Sequence, residues 1–199
     1  MSSVELSRSG LLHERIRESL TMMELLLGDE ELAAGVDRIV EAIVTSIRNG
    51  GKVLLCGNGG SAAEAEHLAA ELIGRFCMER RPLPAIAVAS NVAALTAIAN
   101  DYDYADAFAR AVTALGQPGD VVLGLSTSGR SANVVAALEA ARAGKMVPVA
   151  LVGRPGSRIQ DVADHTVTVP AARTAGIQEG HLLLGHAIFE LVERELCGV

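Results

Sequence analysis

His67 and Glu71 stand four residues apart in a stretch, residues 62–73, whose composition is that of a helix, so their side chains share one face. An imidazole and a carboxylate at this spacing can converge on one metal ion or work as an acid–base pair. Glu64 lies on the same face, so a solvated polar face also accounts for the bare pattern. Near the C-terminus Gln178, Glu179, His181, His186 and Glu190 supply further polar groups, with His186 and Glu190 again four apart. Gln178 and His186 are separated by about 12 Å of rise on an ideal helix. Both meet one ion only if their side chains lean together or the helix begins irregularly. Spacing alone does not choose among these arrangements.

Two other stretches suit an anion. The run Gly57-Asn58-Gly59-Gly60-Ser61 follows the apolar Val53-Leu54-Leu55-Cys56 and precedes the helix that carries His67. A strand, a glycine-rich turn and a helix N-terminus offer free backbone N–H groups and the positive end of the helix dipole to a phosphate. Gly57, Gly59 and Ala62 also satisfy the dinucleotide fingerprint G-x-G-x-x-A. That reading needs a carboxylate at the end of the second strand for a ribose hydroxyl, and Ala89-Ser90-Asn91 provides none. The second stretch, Ser126-Thr127-Ser128-Gly129-Arg130-Ser131, carries four hydroxyls after a buried strand. A helix N-cap needs one hydroxyl; four in six residues favour a ligand.

These residues need a frame to hold them. Residues 11–49 show helical periodicity in two pieces that break near Gly28-Asp29, with Asp29 as cap of the second. Ile16, Leu20, Met23 and Leu27 mark an apolar face on the first piece, and Ile39, Ile43 and Ile47 on the second. This pair is expected to pack on the sheet or against another subunit. Strands are expected at residues 53–56, 85–89, 121–125, 147–152 and 166–169, and helices at 91–99, 105–115, 132–143, near Ile159, and up to about Cys197. Asn100-Asp101-Tyr102-Asp103-Tyr104 reads as a polar loop. Alternation of this kind gives an α/β fold, a doubly wound, five-stranded parallel sheet behind an N-terminal helical pair. Ligands bind such sheets beyond the carboxyl ends of the strands at the switch point, so both polar loops should share one crevice.

The length suits one domain spanning 1–199, and half the residues are hydrophobic with only 3% aromatic. A formal charge of −7 argues against a nucleic-acid surface but leaves room for one local anion site. Residues 1–5 show no secretory leader, and no apolar run is long enough to span a membrane. Cys56, Cys77 and Cys197 are scattered and read as structural cysteines of a reduced, cytoplasmic compartment.

Taken together, the glycine turn with His67 and Glu71, then Asn100-Asp101-Tyr102, the serine loop, and Ile177-Gln178-Glu179-Gly180-His181 with His186 resemble the phosphoheptose isomerases. These form the sedoheptulose 7-phosphate isomerase branch of the sugar isomerase (SIS) fold, and the likeness covers nearly the whole chain. It implies a flavodoxin-like five-stranded sheet and a homotetramer with active sites between subunits. It implies conversion of sedoheptulose 7-phosphate to D-glycero-D-manno-heptose 7-phosphate, towards bacterial nucleotide-activated heptose. It implies one zinc per subunit on His67, Glu71, Gln178 and His186, with Glu71 as base and His186 as proton donor or shuttle. The substrate, a phosphorylated seven-carbon sugar, would meet Asn58, Gly59, Gly60, Ser61, Glu71, Asn100, Asp101, Ser126, Thr127, Ser128, Ser131 and Gln178. One departure is Gly176, where the family often has an arginine in Thr-x-Arg-Ile-Gln-Glu; Arg173 and Arg130 are candidate substitutes. Two non-enzymatic SIS classes are the rivals: a tetramer that binds a replication initiator protein, and a regulatory module that senses a sugar phosphate. The first lacks the carboxylate and the last histidine present here as Glu71 and His186; the second has no need of the set.

Overall fold

The computed structural model describes residues 7–198. Residues 1–5, read as lacking a secretory leader, lie outside them. Helices α1 (Arg8–Leu27) and α2 (Glu30–Arg48) precede β1 (Val53–Gly57), α3 (Gly60–Ile73) and β2 (Ala85–Ala87). There follow α4 (Val92–Asp101), α5 (Ala107–Leu115), β3 (Val121–Ser126), α6 (Ala132–Ala143), β4 (Val147–Val152), α7 (Arg158–Val162), β5 (His165–Thr168) and α8 (Thr174–Cys197). The five strands are all parallel in the order β2-β1-β3-β4-β5. The order reverses between β1 and β3, which places a crevice at their carboxyl ends.

The strands are apolar on both faces because both are covered. Val53, Leu55, Leu123 and Leu151 face a core shared with α2, α3 and α8, while Leu54, Cys56, Val122 and Ala150 face α5, α6 and α7. Asp29 caps α2 as expected, its carboxylate accepting the Leu32 amide at 2.9 Å. Ile39, Ile43 and Ile47 are buried.

Three expectations shift. On α1 the buried residues are Met22 and Leu26, whereas Ile16, Leu20, Met23 and Leu27 stay exposed. Met22 lies against Gly180 of α8, and the α8 surface takes up only that side of the helix. Strand β2 stops at Ala87 rather than Ala89. It is an edge strand whose ladder ends opposite Leu55, and the Ser90 hydroxyl donates to the Ala87 carbonyl at 2.8 Å, tightening the chain into a 3-10 turn. Asn100 and Asp101 form the last turn of α4 instead of a loop, because helical bonding continues to the Tyr102 amide on the Ile98 carbonyl. Among the described residues no helix is long and apolar enough to cross a membrane. No cysteine is bonded to another: Cys56 is buried, with burial pushing its thiol up to about 12, while Cys77 is exposed.

Candidate active site

The site is built on α3 and α8, which run side by side in the same direction. A methyl group on Gly60, at the start of α3, would lie 2.3 Å from Nε2 of Gln178 in the first turns of α8. Two turns on, a methyl group on Gly185 of α8 would lie 2.7 Å from Cδ1 of the buried Leu68. At Gly185 a side chain would meet the buried Leu68, whereas at Gly60 it would displace the Gln178 carboxamide. The consequence appears beside Leu68 and Gly185, where His67 and His186 face one another with their Nε2 atoms 2.8 Å apart.

Glu71 completes a cluster. Its Oε1 is 3.4 Å from His67 Nε2, and one ligand atom each from His67, Glu71 and His186 lies within 4.8 Å of the others. Tetrahedral zinc with N and O ligands at about 2.0–2.1 Å spaces those ligands roughly 3.3–3.4 Å apart. The carboxylate already keeps that spacing from His67, and the imidazoles need part by only about half an ångström. The donor set of two imidazoles and a carboxylate therefore fits the ion. Burial first, and then the neighbouring His67, hold His186 below the usual histidine range against the pull of Glu71. A neutral imidazole is the metal-binding form. The fourth expected ligand, Gln178, is placed with its carboxamide against Gly60, at the opposite end of the α3–α8 seam from Glu71.

The two polar loops close the crevice above this seam. Gly59 sits at φ +56°, where a side chain would be strained, and so turns β1 sharply into α3. The Asn58 side chain makes a reciprocal amide pair with Asn133 of α6, both bonds at 2.8 Å, and accepts a third from the Tyr104 hydroxyl at 2.8 Å. This knot ties the end of β1 to the start of α6 and to the segment after α4. Ser61 is buried behind the turn, against Gly57. In the serine loop the Ser126 hydroxyl accepts the Gly129 amide at 3.1 Å and lies 3.1 Å from the Ser131 hydroxyl. Ser126 and Ser131 thus brace the loop, while Ser128 is exposed and Thr127 half-buried. Asn100 and Asp101 are exposed and paired with each other at 2.8 Å.

Several participants escaped sequence reasoning. Asn133 and Tyr104 carry the knot on Asn58, and Phe76 stacks on His186 with ring centroids 5.4 Å apart. The signal for Asn133 was an amide in the first turn of an otherwise apolar helix start; Tyr104 and Phe76 gave none. Glu64 is drawn in as well, since burial pushes its carboxyl up to about 7 and its Oε2 is buried without a hydrogen-bond partner. His181, near the start of α8, is fully buried with neither ring nitrogen hydrogen-bonded, and burial lowers its imidazole to about 4. Of the candidate substitutes for the missing arginine, Arg173 is engaged by Glu18 of α1 at 2.9 Å. Arg130 is exposed in the serine loop. Gly176 lines a cleft of about 360 Å³ between α1 and the start of α8, together with Arg15, Arg173 and Glu179.

Comparison with known proteins gives this geometry its context. The SIS domain profile matches residues 21–153, which include both polar loops and end before α8. A phosphoheptose isomerase of Roseiflexus sp. is 52% identical over 167 residues, 84% of this chain and 85% of the relative. One from Burkholderia pseudomallei is 47% identical over 183 residues, covering 92% and 93% respectively. The solved structure of a phosphoheptose isomerase from Francisella tularensis superposes with a TM-score of 0.90 at 34% identity, over 95% of this chain and all of that one. The chain belongs to the SIS domain family and, within it, to the phosphoheptose isomerases.

Proposed function

We propose that the protein converts sedoheptulose 7-phosphate to D-glycero-D-manno-heptose 7-phosphate through an enediol, for bacterial heptose biosynthesis. The observation that carries this reading is the convergence of Glu71 from α3 and His186 from α8 beside His67. Aldose–ketose exchange needs a base at carbon and a proton carrier at oxygen, and the cluster supplies both. In the ketose, C2 bears the carbonyl and C1 a hydroxyl. Glu71 removes a proton from C1, the C–H electron pair becomes the C1=C2 bond, and O2 gains a proton. Glu71 then returns its proton to C2 while O1 loses one, leaving the aldehyde at C1. His186 relays the oxygen proton between O1 and O2. One hydrogen moves from C1 to C2 and one from O1 to O2, so nothing is gained or lost.

The turn 57–61 and the serine loop 126–131 hold the phosphate and sugar oxygens through backbone N–H groups and hydroxyls. In this reading Asn58, Gly59, Gly60, Ser61, Asn100, Asp101, Ser126, Thr127, Ser128, Ser131 and Gln178 are the substrate contacts, with Glu71 at the reacting carbon. Ser61 and Asn58 act from behind, since one is buried and the other is committed to Asn133 and Tyr104. Zinc, one ion per subunit, would be held by His67, Glu71 and His186, with Gln178 as the fourth ligand only once its carboxamide leaves Gly60, and would polarise the carbonyl and stabilise charge on the substrate oxygens. A carboxylate bound to a cation is a weaker base, so Glu71 as both ligand and base is the exacting part of the proposal. Glu71→Gln should abolish turnover of sedoheptulose 7-phosphate; a variant with near-normal kcat overturns the assignment.

The protein is taken as one domain acting as a cytoplasmic homotetramer with sites between subunits. The exposed stripe Ile16, Leu20, Met23 and Leu27 supports assembly, and the three unpaired cysteines agree with a reduced compartment. A tetramer that only binds a replication initiator gains no support: the site keeps Glu71 and His186 together, and the relatives above carry the isomerase name.

A further inference from the structure

Behind the reacting cluster lies a buried ion pair. Arg80, in the connection from α3 to β2, and Glu193, near the end of α8, have side chains 2% and 0% exposed, with Nε and Oε1 2.8 Å apart. Glu193 also accepts three successive backbone amides, from Phe76 at 3.1 Å, Cys77 at 2.7 Å and Met78 at 3.2 Å. Burial pushes its carboxyl up, but the Phe76 and Cys77 amides and the Arg80 guanidinium outweigh this and hold it below the usual carboxylate range. Arg80 turns its remaining N–H groups on the end of α3. Nη2 donates to the Glu71 carbonyl at 2.7 Å, and Nη1 to those of Leu72 at 2.8 Å and Gly74 at 3.0 Å. These are carbonyls that a helix C-terminus leaves without partners.

Two of the groups so held belong to the site. The Glu71 backbone is fixed by Arg80, and the Phe76 backbone, fixed by Glu193, carries the ring that stacks on His186 at 25°. A buried ion pair by itself is weak evidence for stability, since apolar replacements are often as good. Apolar replacements could not make the bonds that bracket Glu71 and His186. We infer that Arg80 and Glu193 are positioning residues: through the end of α3 and the Phe76 ring they set the separation and orientation of Glu71 and His186. This rests on the reading of His67, Glu71 and His186 as the reacting cluster.

The test compares Glu193→Gln, which keeps the shape but not the charge, Arg80→Lys, which cannot reach the α3 carbonyls and Glu193 together, and Phe76→Leu, which leaves the ion pair intact. Zinc affinity is measured by calorimetric titration of chelated protein, and kcat and KM are measured on sedoheptulose 7-phosphate. The expected result is a loss of about 10–100-fold in zinc affinity and in kcat for Glu193→Gln and Arg80→Lys, with KM within about twofold. Phe76→Leu should lose about 10-fold in the same two quantities. A folded Glu193→Gln or Phe76→Leu with wild-type zinc affinity and kcat overturns the inference. Phe76→Leu decides the matter alone if the other two do not fold. His186→Asn serves as the control. If it turns over normally, the reading of the cluster falls and takes the inference with it. If it is inactive while Glu193→Gln behaves as wild type, only the positioning role falls.

Discussion

Replacing Gly185 by alanine should damage the site far more than the fold. The added methyl would lie 2.7 and 2.8 Å from the two Cδ atoms of Leu68, which is fully buried. Ordinary carbon–carbon contact is about 3.5–4 Å, so roughly 1 Å must be yielded, and close packing around the buried Leu68 puts part of that shift on the separation of α3 and α8. Overpacking of this kind costs about 1–3 kcal/mol, against about 1 kcal/mol gained from alanine's better helix propensity. The net loss is about 0–2 kcal/mol, a fall in Tm of up to about 8 °C for a chain of this size. The proposed reacting cluster lies one residue away on each helix, with His67 and His186 at 2.8 Å. A misplacement of about 1 Å between groups acting together costs on the order of 100-fold in rate. Zinc titration and steady-state kinetics on the folded variant should therefore show kcat and zinc affinity each down by one to two orders of magnitude, with Tm only modestly lowered. Adding Leu68→Ala removes the atoms in conflict and should restore part of the zinc affinity, although Leu68→Ala alone costs about 2–5 kcal/mol of stability. Wild-type zinc affinity and kcat in Gly185→Ala would refute the claim that this close approach sets the cluster.

The remaining predictions concern pH and assembly. His181 has its imidazole lowered from 6.5 to about 4 by burial, so the unfolded chain binds a proton in that window while the folded chain does not. Stability should be full above about pH 6.5, fall by up to about 3 kcal/mol as pH drops towards 4, and level off below. In Tm measured against pH, His181→Asn should show a shallower slope between these limits; an unchanged slope contradicts the assignment. Glu193 is lowered by its partners and adds stability that is present at neutral pH and lost as acid protonates it, so Glu193→Gln should lose most at neutral pH and least in acid. Leu20→Glu, on the exposed stripe of α1, should leave the circular dichroism unchanged and shift sedimentation from a tetramer to smaller species; an unshifted tetramer places the interface elsewhere.

Much of this architecture was legible in the residues because local rules and tertiary demands agreed. Asp29 caps α2, Gly57–Ser61 turns β1 into α3, and the five apolar runs are strands because helices cover both faces of the sheet. The i, i+4 pair His67 and Glu71 was visible as a pattern, and its meeting with His186 followed from the family likeness rather than from spacing. What could not be read are contacts between segments far apart in sequence. Glu193 looks like one more charge in the last helix until the 76–78 amides close around it, and Tyr104 gives no hint that it reaches Asn58. The apolar face on α1 was legible as a period, but the helix buries Met22 and Leu26 in its own chain and leaves the stripe of Ile16 and Leu20 outward. Periodicity shows that a stripe exists, not which surface covers it.

The central claim, that Glu71 and His186 work with a metal on a sugar phosphate, is tested most directly by turnover of sedoheptulose 7-phosphate before chelation, after it, and after zinc is restored. The account predicts activity lost on chelation and recovered with zinc. Turnover indifferent to chelation would contradict the metal's part in it, and no turnover from the folded protein would contradict the isomerase itself.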